Sequence, residues 1–417
     1  MKGIFVILDG VADEGCQALG MKTPLDAAKT PNLDYLAKKS KLDYCYSVKE
    51  GIAPESSNAV VSLLGYDPNL APRGPLEAQG YGIKLTRGDL ALRVNFASVD
   101  SLDGIVLDSR AGRTLTTREA KLLARAINQK VKLPFKFDFY STSQHRGVVV
   151  FRGGFSDNIS NANPFYSNGN AMRVHNPKFV FSKPLDDEED SKLAADLVNM
   201  FIRKSHEVLD KHPINITRAK KGLYAANVLI CREAGNEPVR FKKLRGKWMA
   251  LGYMPLERGI AKAAGMDVFR FSYPKFKGMD AYSHLHAGLR KAIKQSVKMI
   301  RKNRKKYDYF YVHIKETDIP GHDNKPLDKV KMIEVLDKQL FSFLRGFVVK
   351  NNCKLVVTAD HTTSCRLKAH TDKPVPVMFY ASGNGKEKEQ RFREEDGLKG
   401  KKIMGRKLLE KTLFAKL

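Results

Sequence analysis

Three apolar runs, GIFVILDG, YDYFYVHIKETD and CKLVVTADH, break off at carboxylates: Asp9, Asp318 and Asp360, the last followed at once by His361. Short runs rich in Val, Ile and aromatic residues read as strands buried on both faces, the pattern of a parallel sheet. In an open α/β sheet, ligands sit beyond the carboxyl ends of the strands. The three ends are therefore expected to converge on one site. Helical stretches such as TPNLDYLAKKS and LERGIAKAAG lie between them. This alternation predicts an α/β fold built on a doubly wound, mostly parallel sheet.

The middle of the chain has another texture. Alternating or aromatic-rich strands (LALRVNFASVD, HRGVVVFRGG) accompany two helices, and an acidic cluster from Asp186 to Asp190 suits the N-terminus of the second, SKLAADLVNMFIRKSHEVLDKH. The segment SDNISNANPFYSNGN is rich in Asn, Ser and Gly and reads as an exposed loop. The expectation is a smaller α+β domain, residues 86–222, inserted into a discontinuous core of residues 1–85 and 223–417. No internal repeat of about 20–50 residues is evident.

Charge excludes less than it suggests. The 417 residues carry a formal net charge of +28, yet residues 1–77 hold eight Lys or Arg against ten Asp or Glu. The surplus lies beyond them and is densest from Gly288 to Lys306, with nine basic residues and no acidic one. Leu289, Ile293, Val297 and Ile300 recur there at helical spacing, so the stretch predicts an amphipathic helix with a solvated basic face. Zinc-finger, RNP-type and basic-zipper patterns are absent, which disfavours a nucleic-acid partner. No apolar run approaches the ~20 residues that span a bilayer. The start, MKGIFVILDG, reads as a first strand and not as a signal peptide. Five widely spaced cysteines without a CxxC pair indicate a reducing, cytoplasmic compartment.

The chemistry gathers in seven oxygen and nitrogen donors. Asp318 and His322 form a D-x-x-x-H pair, Asp360 and His361 are adjacent, His370 follows in KAHTDKP, Asp9 ends the first strand, and Ser56 lies in APESSNAVVSLLGYDP. Singly, a DH dipeptide reads as a cap or turn and a D-x-x-x-H as surface decoration. Every carboxylate following a hydrophobic strand is a different matter. Carboxylate and imidazole donors suit Zn²⁺ or Mn²⁺, with Co²⁺ or Mg²⁺ as alternatives, and two ions can share such a set. A two-metal clamp stabilises both oxygens of a phosphoryl transfer and activates a hydroxyl nucleophile.

Segments from residue 3 to near 410 resemble the archaeal type of 2,3-bisphosphoglycerate-independent phosphoglycerate mutase, in the alkaline phosphatase superfamily. They are ILDG, KTPLDAAKTPNLDYLA, APESSNAVVSLLGYDP, RGPLEAQGYGI, DSRAGR, GIAKAAGMDV, HIKETDIPGHD, VVTADHTTSCRLKAHTDKPVPV and GLKGKKIMGRKLLE. The resemblance implies an alkaline-phosphatase-like core with one metal held by Asp9, Ser56, Asp360 and His361 and the other by Asp318, His322 and His370. It implies Ser56 as the nucleophile that takes the phosphoryl group from 3-phosphoglycerate and returns it to the 2-hydroxyl, with no 2,3-bisphosphoglycerate required. The insert would be a lid holding glycerate, with Arg93, Arg110, Arg113 and Arg232 as candidate contacts and Lys315 beside Asp318. Bidentate guanidinium groups suit a small phosphorylated carboxylate. A homo-oligomer is compatible with this reading.

Four departures from the family pattern stand out. An acidic residue expected after the nucleophile is Ser57, and an expected D-P-H in the insert is Asn163, Pro164 and Phe165. A lysine expected after re-entry into the core is replaced by His286, and an RGAG motif reads Arg232-Glu233-Ala234-Gly235. These changes leave the metal set complete and bear on what happens to the phosphoryl group. The alternatives are a phosphatase or phosphotransferase of the same superfamily acting on another small ester, or a basic nucleic-acid-binding protein on an inactive enzyme fold. A sulfatase is disfavoured because neither neighbour of Ser56 is Cys.

Overall fold

The computed structural model describes residues 1–70, 72–167, 170–171, 177–274, 280–381 and 387–415. Two compact units emerge: Met1–Ala71 with Phe241–Leu417, and Pro72–Arg240.

The first unit is built on an eight-stranded sheet. In chain order its strands are β1 (Gly3–Leu8), β2 (Lys41–Tyr46), β3 (Trp248–Leu251), β4 (Asp267–Val268), β5 (Tyr309–Ile314), β6 (Lys354–Thr358), β9 (Val375–Tyr380) and β10 (Lys402–Met404). A separate hairpin, β7 (Thr362–Ser364) and β8 (Ala369–Thr371), lies between β6 and β9. The spatial order is β4-β3-β5-β1-β6-β9-β2-β10. The neighbours from β4 to β6 are parallel, β9 is antiparallel to both β6 and β2, and β2 and β10 are parallel. The doubly wound α/β expectation thus meets a mostly parallel sheet interrupted by one reversed strand.

The three expected strands are adjacent at its centre. Leu8 pairs with Ile314 and Ile7 with Thr358, so the ends of β5, β1 and β6 are level. Every residue of β1 and β5 is buried, as the unbroken apolar runs require. The basic stretch lies on the helix Ala281–Asn303 and the turn that follows it, with Leu289, Ile293 and Ile300 buried and Val297 half-buried.

The second unit is an antiparallel sheet of strands Val106–Asp108, Leu90–Val99, Arg146–Phe151 and Phe137–Ser143, with Val228–Gly235 paired to Leu90–Val99. Leu90, Leu92, Val94, Val149 and Phe151 face a core shared with the helices Thr117–Lys130 and Glu189–Asp210. Thr116 closes a capping box with Glu119 at the start of the first helix. Ala91, Val148 and Val150 point the other way, toward Ala78 on the helix Arg73–Tyr81.

Two expectations need correction here. The boundaries at 86 and 222 fall inside this unit, because Arg73–Tyr81 packs on the sheet and Val228–Gly235 is one of its strands. Length and composition carried no trace of that pairing. The segment from Ser156 is also less exposed than its polarity implied: Ile159, Ala162 and Asn163 are buried, and Ala162 bridges to Cys231. Asn168 and Gly169 of that segment lie outside the described residues.

Phe201 anchors this core, with ring centroids 5.2 Å from Phe137, 5.9 Å from Phe139 and 5.6 Å from Phe151. Phe201→Ala is expected to destabilise the second unit by about 3–5 kcal/mol, the range for removing a buried aromatic ring. Urea unfolding followed by circular dichroism measures it.

Candidate active site

Asp9 leaves β1, and its backbone N–H donates to the carbonyl of Ile314 at 2.9 Å. Asp360 and His361 leave β6. Asp318 and His322 bracket a single helical turn, Asp318–His322, in which the i,i+4 spacing puts both on one face, Nε2 to Oδ2 3.3 Å. The hairpin after β6 returns His370 opposite Thr363. Ser56 is the first residue of the helix Ser56–Leu63.

The structure brings all seven expected donors together, in two sets that share His361. In one, His361 Nε2 lies 3.1 Å from Ser56 Oγ, 3.6 Å from Asp9 Oδ1 and 3.3 Å from Asp360 Oδ2. In the other, His370 Nε2 lies 3.2 Å from His322 Nε2 and 3.7 Å from Asp318 Oδ1. The rings of His361 and His370 stack with centroids 3.6 Å apart, joining the groups. Each histidine is oriented by its other nitrogen: Nδ1 of His370 faces the Pro54 carbonyl (2.8 Å), that of His322 the Lys368 carbonyl (3.2 Å), and that of His361 Thr363 Oγ1 (3.0 Å). Such partners fix ring direction and leave Nε2 facing the centre, as metal-binding histidines do.

The electrostatics call for cations. Burial and the neighbouring Asp9 push the Asp360 carboxyl up to about 7. Burial also works on Asp9, but the Lys315 ammonium and the His313 hydrogen bond outweigh it and hold Asp9 well below the usual carboxylate range. Burial, and then the charge on His370, pull His361 down to about 3. Burial opposes charge on His370 too, yet the Asp318 carboxylate raises it to about 9. Among the described residues, the buried Asp9 Oδ1 and Asp360 Oδ2 have no hydrogen-bond partner. Buried carboxylate oxygens left this way are costly, and a divalent ion satisfies them. The donors of Asp9, Asp360 and His361, and those of Asp318, His361 and His370, lie within 4.8 Å of one another. The residues therefore fit a pair of divalent metal ions.

Two further groups beside Asp9 were not singled out in the sequence. Nε2 of the buried His313 approaches Asp9 Oδ2 at 3.0 Å, and the buried carboxylate of Glu257 meets Lys315 Nζ at 3.1 Å. Lys315 Nζ also contacts Asp9, so its place is beside the first metal group rather than beside Asp318. His313 is the penultimate residue of β5, a polar residue in an apolar strand, and that was the available signal.

Ser56 sits where a helix N-terminus favours negative charge on its oxygen. Ser57 is fully buried and its hydroxyl donates to Asn58 Oδ1 at 3.0 Å, so the expected second hydroxyl is engaged with its neighbour.

His286 does not join the set. Burial lowers its pKa, and the charged groups that act on it are Arg290, Asp328, Lys331 and Asp280. His284 and Gly288, one turn apart, both meet Tyr273. His286, about 200° round the helix from His284, faces elsewhere.

In the second unit, Arg93 pairs with Arg232 and Asn95 with Arg146 across adjacent strands, which puts these side chains on the face away from the aromatic core. Burial and the nearby Arg73 lower Arg93 to about 9, and burial and Arg110 lower Arg146 to about 10. His145 is held neutral by burial and by Arg146, Arg110, Arg93 and Arg113. Glu77 accepts from Arg73 Nε at 2.8 Å and lies 3.4 Å from Arg93. Arg93 and Arg232 are buried, and Arg73, Arg110, Arg113 and Arg146 are half-buried. The four expected arginines are brought together, and Arg73 and Arg146 join them. Both lay in view, in RGPLEAQG and HRGVVVF, but only strand register aligns them.

The other departures have local partners. Asn163 Oδ1 accepts from the N–H of Phe165 (3.0 Å), Phe165 packs on the core, and Glu233 pairs with Arg232 at 3.2 Å.

Gly10 adopts φ +53°, and a Cβ there would meet Thr363 Oγ1 at 2.4 Å and Asp318 Oδ1 at 2.6 Å. Gly10→Ala is expected to weaken divalent-metal binding about 10–100-fold, the usual scale for disturbing groups that orient ligands. Metal titration by calorimetry, with circular dichroism to confirm folding, measures it.

Comparison with known proteins agrees with this geometry. The profile of the family described as 2,3-bisphosphoglycerate-independent phosphoglycerate mutase matches residues 37–215. Proteins of that name from Thermococcus kodakarensis (35% identical, covering 96% of this chain and 93% of that one) and Pyrococcus abyssi (37%, with the same coverage) are similar along nearly the whole length. A Pyrococcus horikoshii protein of solved structure superposes with a TM-score of 0.73 at 28% identity, covering 99% of this chain and 96% of that one. The cofactor-independent phosphoglycerate mutase from Thermoplasma acidophilum superposes at 0.58 with 27% identity, covering 99% of both chains. The chain belongs to the 2,3-bisphosphoglycerate-independent phosphoglycerate mutase family.

Proposed function

We propose that the protein interconverts 3-phosphoglycerate and 2-phosphoglycerate through a phosphoserine on Ser56, without 2,3-bisphosphoglycerate. The observation that carries this reading is the convergence of Asp9, Asp360, His361, Asp318, His322 and His370 on one another, with Ser56 Oγ beside His361 Nε2.

In this reading Asp9, Ser56, Asp360 and His361 hold one ion, and Asp318, His322 and His370 the other. Their mixed imidazole and carboxylate character favours Mn²⁺ or Zn²⁺, with Co²⁺ or Mg²⁺ as substitutes. When bound, the ions lower the pKa of the Ser56 hydroxyl and offset charge on the phosphoryl oxygens. Ser56 Oγ attacks phosphorus, the bond to the glycerate 3-oxygen breaks, and the helix N-terminus stabilises the phosphoserine. Glycerate turns, and its 2-hydroxyl oxygen takes the phosphoryl group back. Lys315 and His313 keep Asp9 ionised and in place. The guanidinium cluster of Arg93, Arg110, Arg113 and Arg232, joined by Arg73 and Arg146, holds the carboxylate and hydroxyls of glycerate. Water is kept from the phosphoserine while glycerate turns.

Five free cysteines, all buried, and the lack of any described helix long and apolar enough to cross a membrane support a cytoplasmic setting in glycolysis or gluconeogenesis.

The test is a coupled assay with 3-phosphoglycerate and Mn²⁺ that reads 2-phosphoglycerate and inorganic phosphate together. 2-Phosphoglycerate as the main product is expected; phosphate alone would make the protein a phosphatase. Ser56→Ala is expected to lower kcat by at least about 10⁴-fold, the scale for loss of a nucleophile. Ser57→Ala should be far milder, and acid quench with peptide mass analysis should find phosphate on Ser56.

A further inference from the structure

Outside the ligand set, the loop after β1 and the hairpin that carries His370 meet at a buried pair of thiols. Cys16 is 5% exposed and Cys365 1%. Their sulfurs and a carboxylate oxygen of Asp13 lie within 4.8 Å of one another. Asp13 Oδ1 accepts from the N–H groups of Cys365 (3.0 Å) and Glu14 (2.8 Å), and Cys16 Sγ lies 4.0 Å from the same oxygen. Cys16 Sγ also faces the Glu14 carbonyl at 3.4 Å, and Cys365 Sγ the Pro320 carbonyl at 3.8 Å. The buried Lys329 ammonium ties the same two segments together: it donates to Asp13 Oδ2 (2.8 Å), the Ala12 carbonyl (3.2 Å) and the Thr363 carbonyl (2.9 Å).

Nothing in the mutase chemistry uses these thiols, and a packing role does not require two of them face to face beside an ammonium group. A neighbouring thiol and a cation are the surroundings that make cysteine reactive. Cys16 is the more exposed of the two. Its thiol is drawn below the ordinary value, first by the hydrogen bond with Cys365.

We propose that Cys16 and Cys365 form a redox-active pair, closed to a disulfide by a small peroxide and reopened by thiols, and that closure slows the enzyme. The Cys16 sulfur attacks the O–O bond of hydrogen peroxide, giving a sulfenic acid and one water. The Cys365 sulfur displaces the hydroxyl, forming the S–S bond and releasing the second water. Two thiols and one peroxide thus become one disulfide and two waters, with sulfur oxidised and peroxide oxygen reduced.

The coupling to the site is short. Closure brings the two sulfurs to about 2.05 Å and draws β7 toward the loop after β1. Thr363, two residues before Cys365, holds His361 Nδ1 at 3.0 Å and Asp318 Oδ1 at 2.8 Å, so both ligand groups are displaced together. The slowing rests on the mutase reading above; the bond itself does not.

The experiment treats full-length, Mn²⁺-loaded protein with hydrogen peroxide, alkylates it, and maps the thiols without reduction. The expected result is a Cys16–Cys365 cross-linked peptide lacking two hydrogens, with Cys45, Cys231 and Cys353 alkylated on unfolding. Mutase kcat is expected to fall about ten-fold or more, because an ångström-scale misplacement of a catalytic constellation costs on the order of 10²-fold. Dithiothreitol should restore it. Cys16→Ala and Cys365→Ala should keep basal activity and lose peroxide sensitivity. A protein that never forms this cross-link, or that forms it with kcat and bound manganese unchanged, overturns the proposal. If untreated protein shows no mutase activity, the function reading fails, and the cross-link and bound manganese decide the redox pair on their own.

Discussion

Two buried carboxylates just beyond the ends of neighbouring parallel strands, Asp9 and Asp360, organise the first unit. Placing them together inside a protein is unfavourable unless positive charge accompanies them, because a low-dielectric interior strengthens their repulsion and removes their hydration. The surrounding structure reads as a response. Lys315 and His313 meet Asp9, Gly10 and His361 donate backbone N–H groups to Asp360, and Thr363 ties His361 to Asp318. Among the described residues, one oxygen of each carboxylate has no hydrogen-bond partner, an arrangement that fits a divalent ion. Gly10 follows from the same constraint, since a side chain there would occupy the space of Thr363 and Asp318.

The second unit meets the complementary problem with the opposite sign. One face of its sheet is an aromatic core centred on Phe201, and the other gathers guanidinium groups around His145. Burial and neighbouring guanidinium groups depress Arg93 and Arg146, and the Glu77 carboxylate partly offsets this. Guanidinium groups gathered in this way have the geometry to pair with a carboxylate.

The same contrast decides what the departures from the family pattern mean. Asn163 is satisfied by the backbone of Phe165, and Phe165 by the core, so these positions carry local structure here. His286 faces the charged groups of its own helix and of Pro326–Leu336. Glu233 offsets one guanidinium, Arg232, and the cluster retains others. The metal set keeps every donor.

The sequence by itself determined the strand ends and the ligand types. Apolar runs that stop at Asp9, Asp318 and Asp360 follow from short-range physics, since a strand buried on both faces tolerates no carboxylate until it leaves the sheet. D-x-x-x-H needed only the period of one helical turn. Tertiary structure decided everything that depends on register and rotation about an element axis. Sequence spacing does not record which residues lie opposite one another across strands, so Arg146 joined the arginines and Cys16 met Cys365 only once β-pairing and hairpin geometry were fixed. The domain boundary moved for the same reason: Val228–Gly235 belongs with Leu90–Val99 through hydrogen bonds spanning more than a hundred residues of chain. Local pattern sets what each segment can become, and long-range pairing, which carries no local signature, sets which side chains share a site.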